Sequence, residues 1–116
     1  MFDEEITTWL NSIKERPAIK AINIGLFEES GGYCAYLVGS NSYDENDDDW
    51  ACNEDFIPTN KYVKLLNSNS MNWEKVQERV ISSIQSYILN TQESSVLKNI
   101  EVITVGFDDA ELERVK

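Results

Sequence analysis

Residues 19–38, IKAINIGLFEESGGYCAYLV, decide how this chain folds. In 19–28 the residues Ile22, Ile24 and Leu26 alternate toward one face, with Asn23 and Gly25 toward the other. That period of two is the mark of a strand with one face in a core. Ser30-Gly31-Gly32 is a turn signal, and Tyr33 to Val38 reads as a second strand, so the pair is most simply an antiparallel hairpin.

Upstream, residues 3–16 read as a helix. Phe2, Ile6, Trp9, Leu10 and Ile13 fall at helical spacing in one apolar stripe. Asp3 is placed to cap it, Glu4 and Glu5 suit its positive end, and Pro17 follows a basic last turn of Lys14 and Arg16. Downstream, Gly39 to Asn53 is polar and aperiodic, 54–57 fits a short edge strand before Pro58, Tyr62 to Leu66 reads as a strand, and Asn67-Ser68-Asn69-Ser70 as a loop. A helix begins near Asn72, a good N-cap, and should fray by Gln92. Trp73, Val76, Val80, Ile84 and Tyr87 share its apolar face, widened by Ile81 and Ile88, while Gln77, Glu78, Ser82, Ser83, Gln85 and Ser86 fill the opposite side. Ile100 to Phe107 is β-branched and reads as a buried strand, and an acidic tail follows.

This order lacks alternating βαβ units, which argues against a doubly wound parallel sheet. The expected fold class is α+β: one domain, residues 1–116, with a mainly antiparallel sheet of about four to five strands and two helices packed on one face. At 116 residues and 41% hydrophobic composition, the chain can close one core without a disulfide or a structural metal.

Histidine is absent. This removes Ser-His and Cys-His nucleophilic pairs and histidine metal sites together. Cys34 sits in strand alternation and reads as core; Cys52 lies among carboxylates, a poor setting for a nucleophilic thiol. No phosphate-cradling glycine motif occurs. The chain therefore reads as a binding protein rather than an enzyme, with no cofactor implied. Its acidic start, Met1-Phe2-Asp3-Glu4-Glu5, does not resemble a secretory leader, and free thiols suit a reducing compartment, so a cytoplasmic location is expected.

The net charge is −11, and it is unevenly spread. Residues 31–60 hold Asp44, Glu45, Asp47, Asp48, Asp49, Glu54 and Asp55 with no Lys or Arg. Nucleic acid and anionic membrane surfaces are disfavoured as partners, because both need clustered bases. A basic protein is favoured, since complementary charge speeds encounter.

The candidate binding site is Tyr43, Asp44, Glu45, Asp47, Asp48, Asp49 and Trp50, extended by Glu54 and Asp55. Folding gains nothing from crowding like charges, which marks the run for a role outside the fold. Aromatics beside a charge patch are common interface anchors. The plain reading is a solvated loop that aids solubility, with Trp50 folded back on the core. The run also mimics part of a calcium loop, with Asp44, Asn46 and Asp48 at positions one, three and five and Asp55 at twelve, but Asp49 stands where a glycine is needed.

The stretches Tyr36-Leu37-Val38-Gly39-Ser40, Tyr43-Asp44 through Asp49-Trp50-Ala51-Cys52, Phe56-Ile57-Pro58 and Val105-Gly106-Phe107-Asp108-Asp109 together resemble small immunity proteins of bacterial polymorphic-toxin and contact-dependent inhibition systems. The resemblance implies a cytoplasmic protein that binds and blocks one cognate toxin domain, often a nuclease, whose basic active site would meet the acidic loop. The alternative is an acidic structural or adaptor module with no toxin partner.

Overall fold

A computed structural model describes residues 2–66, 68–90, 95–108 and 110–116. Asn67 of the expected loop, the expected end of the second helix at Gln92, and Asp109 lie outside the described residues. The elements run α1 (Asp3–Ser12), β1 (Ala21–Glu29), β2 (Gly32–Ser40), a 3-10 turn (Asp48–Cys52), β3 (Tyr62–Leu65), α2 (Trp73–Asn90), β4 (Val102–Phe107) and β5 (Glu113–Arg114). The five strands form a single sheet in the order β3-β2-β1-β4-β5, so the fold is α+β as expected.

The hairpin organises the sheet. β1 and β2 pair antiparallel in unbroken register from Ala21↔Ser40 to Glu29↔Gly32. Ser30 and Gly31 at the turn both have positive φ, 51° and 81°, which a two-residue turn between right-twisted strands requires. β4 lies on the other side of β1 and runs parallel to it, from Ala21↔Val102 to Leu26↔Phe107. The remaining named pairs are antiparallel. β5 was not foreseen: in the expected tail, Glu113 and Arg114 pair with Val105 and Thr104. The expected strand at 54–57 reduces to a bridge between Phe56 and Gly39, made of two backbone hydrogen bonds of 2.9 and 3.1 Å.

The helices cover one sheet face. Ile22, Ile24, Leu26, Ala35, Leu37, Ile103 and Val105 form one buried cluster with Phe2, Ile6, Trp9, Leu10 and Ile13 from the α1 segment and Val76, Val80, Ile84 and Tyr87 of α2. Burying each large aliphatic side chain is worth about 1.5–3 kcal/mol, so this face holds the molecule together.

Both helices depart from the sequence reading at their ends. α1 stops at Ser12, not 16. Ile13 is extended, and Lys14 and Arg16 fold back to donate to the carbonyls of Asn11 and Ile13 at 3.0 and 2.8 Å. The basic residues thus satisfy orphan carbonyls from beyond the helix. Asp3 is not the cap; Phe2 holds that position, and the Asp3 carboxylate accepts a hydrogen bond from Ser83 Oγ on α2. Ser83, expected on the solvent side, is buried there between the helices. Asn72 does cap α2, its Oδ1 accepting from the Lys75 amide at 2.8 Å. Trp73 leaves the buried stripe: it is 45% exposed and stands edge-on to Phe107.

The opposite sheet face carries Ala21, Asn23, Gly25, Phe27, Cys34, Tyr36, Val38 and Thr104, as the pairing registers require. No helix covers it. The 41–55 loop and the C-terminal segment close over one half, where Trp50 and Leu112 pack on Ala21 and Val102. Asn23 and Thr104 are buried, and the Thr104 hydroxyl donates to Asn23 Oδ1 at 2.9 Å. Among the described residues, no helix is long and apolar enough to cross a membrane.

Candidate functional site

The acidic loop is an ordered construction. Asp44 Oδ1 accepts from the Asn46 amide at 2.9 Å, and Asp47 Oδ1 accepts from the Asp49 amide at 3.0 Å to cap the 3-10 turn. Asp55 Oδ2 accepts from the Asn41 amide at 2.9 Å and so closes the base of the loop. Asp48 Oδ2 accepts from the Leu112 amide at 3.1 Å, across a sequence gap of 64. These bonds satisfy backbone amides and leave the charges at the surface: Asp44, Glu45, Asp47, Asp48 and Asp49 are all exposed. Their mutual repulsion is tolerated because water screens it.

Trp50 fastens the loop. It is buried to 5% exposure, and Tyr43 meets it edge-on at 5.2 Å between ring centroids. The Arg114 guanidinium lies over Tyr43 at 5.4 Å. Trp50 is therefore a pin to the core and presents no free face as a surface anchor, whereas Tyr43 is half-buried at the rim. Glu54 and Asp55 are exposed, and Glu54 pairs with Lys61 at 3.4 Å.

The calcium-loop spacing does not become a ligand sphere. Asp44, Asp48 and Asp55 turn to three different amides, and no three His, Cys, Asp or Glu side chains converge on a cation position among the described residues. The oxygens are of the kind calcium takes, but they are not gathered about one point. Cys34 is buried and donates to Glu29 Oε2 at 3.1 Å; burial, then that carboxylate, pushes its thiol up to about 11, so it stays protonated at neutral pH.

Sequence reasoning missed the residues beside the loop. On the uncovered half of the sheet face, Phe27, Tyr36 and Tyr62 form a triangle with centroid separations of 6.1, 6.1 and 6.4 Å. Tyr36 lies across β1 because residue 25 is glycine; a Cβ there would sit 2.0 Å from the Tyr36 ring. The Tyr36 hydroxyl donates to Asp108 Oδ1 at 2.5 Å. Burial, then that carboxylate, raises the phenol above its ordinary value and keeps it a donor. Lys61 Nζ stands 5.7 Å from the Tyr36 ring centroid and 5.2 Å from that of Tyr62. Partial burial works against its charge, but Tyr62 and Glu54 outweigh that and hold the ammonium above its usual value. With Val38, Ala51 and Cys52 these groups line an open cleft of about 520 Å³. One signal was available: Phe27 and Tyr36 occupy the off-core positions of the hairpin, where solvent-facing strands carry polar residues. The pairing of Asp108 with this cleft depends on β4 lying beside β1, which no local pattern encodes.

No family model matches the chain, and no curated protein or solved structure is similar to it at a significant level.

Proposed function

We propose that this chain is an inhibitor of the immunity-protein kind: in the cytoplasm it binds a basic toxin domain, of the nuclease class, through the face built on residues 43–55. The observation that supports this reading best is the anchoring of the acidic loop. Exposed carboxylates are held in fixed positions by Trp50 and by the bond from Leu112 to Asp48, where a mere solubility loop needs no such fixing. The exposed Asp108, bonded to the Tyr36 hydroxyl, and the backbone of the exposed Glu111, next to Leu112, lie on the same side of the sheet as the loop. Carboxylates set on a rigid frame can occupy the positions a nuclease keeps for phosphates, and complementary charge raises the encounter rate.

Co-expression with the product of the open reading frame immediately upstream of this gene tests the reading. That product should arrest growth alone, and the chain should restore growth. A variant with Asp47→Asn, Asp48→Asn and Asp49→Asn keeps the amide-accepting oxygens and loses three charges; it should protect less well. A harmless neighbour, or full protection by the triple variant, would count against the reading.

A further inference from the structure

We propose that the cleft between Phe27, Tyr36 and Tyr62 receives one arginine side chain of the basic partner, an inference that rests on the reading of this chain as a binder of a basic protein. Three aromatic rings and two carboxylates, Glu54 and Asp108, frame the cleft. It already holds a cation of the chain's own: Lys61 stands over two of the rings and pairs with Glu54 at 3.4 Å. The protein thus displays, within one chain, the contacts a partner's cation would make. The carboxylates outnumber the ammonium, which leaves the cleft acidic and able to take a second positive group. Arginine suits it better than lysine, because a planar guanidinium stacks on a ring face while its edge hydrogen-bonds a carboxylate.

The position of the cleft fits this role. Ala51 and Cys52, at the end of the 3-10 turn, form one of its walls, so the cleft adjoins the acidic loop. The loop would steer and the cleft would anchor. Tyr62 is 56% exposed on a strand at the edge of the sheet, where a large ring can gain burial from a partner.

The test titrates the intact protein with tetra-arginine amide at low salt, following the ring protons of Phe27, Tyr36 and Tyr62 by NMR. Saturable shifts of those rings are expected. Tyr62→Ala, at an exposed site, should keep the fold and weaken binding about tenfold, the size of one partly desolvated cation–π contact. Lys61→Ala should tighten binding by vacating the rings, and by more than Lys64→Ala, which removes an equal charge three residues along the chain, where the lysine pairs across from Cys34. Shifts confined to residues 44–49, with Tyr62→Ala binding like the native protein, would overturn the cleft and leave the basic-partner reading standing. Equal effects of the two lysine variants would reduce the cleft to general charge and overturn it likewise. Failure of the native protein to bind the peptide at all would overturn both.

Discussion

At the scale of single residues, Trp50 carries more of the site than any carboxylate. Its burial against Ala21 and Val102 turns a crowded acidic run into a fixed surface, and Tyr43 and Arg114 stack outward from it. Trp50→Ala should cost about 3 kcal/mol in urea unfolding, at the lower end for truncating a buried aromatic, because the cluster is small and one-sided. A loss below about 1 kcal/mol would mean the loop is held by its hydrogen bonds instead. Gly25 plays the complementary part, since the absence of a side chain lets the Tyr36 ring pass close over β1 and reach Asp108. The alternation of Ile22, Ile24 and Leu26 made the core face legible from sequence. The purpose of the small residue between them was not legible, because it depends on which side chain crosses from the neighbouring strand.

At the scale of elements, local chemistry was readable and long-range pairing was not. The hairpin and the Asn72 cap are set by residues within a few positions of one another, and both were expected where they occur. β5 has two residues and is defined by β4, so periodicity had nothing to work on. The end of α1 was misjudged because helical spacing continues to Ile13 while the backbone already extends there. The segment after α1 is tied down through Glu15, whose Oε2 accepts from the Thr59 amide at 2.7 Å and its hydroxyl at 3.0 Å. The Thr59 amide is the main reason this carboxyl lies below its ordinary value of 4.5. A depressed carboxyl supports the folded state fully above its unfolded value, and that support fades as pH falls through the lower folded value. Carboxyl-carbon NMR should therefore show Glu15 titrating below pH 4.5 in the folded protein, and a midpoint at or above 4.5 would remove the contact from solution.

At the scale of the molecule, the two faces of the sheet are differently built. One face joins both helices in the core; the other carries the pinned acidic loop, the C-terminal acids and the aromatic cleft. The acidic patch itself was legible in the charge pattern of residues 31–60. Its extension by Asp108 and Glu111 was not, because it needs β4 beside β1 and Leu112 bonded to Asp48. If this face exists to meet a basic partner, charge should govern how fast they meet. Stopped-flow association with the upstream-encoded protein, from about 0.01 to 1 M ionic strength, shortens the screening length from about 30 to 3 Å. The native rate should fall by about tenfold or more over that range. The variant with asparagine at 47, 48 and 49 should start slower and fall less steeply. Equal rates and equal salt slopes for the two proteins would contradict the account.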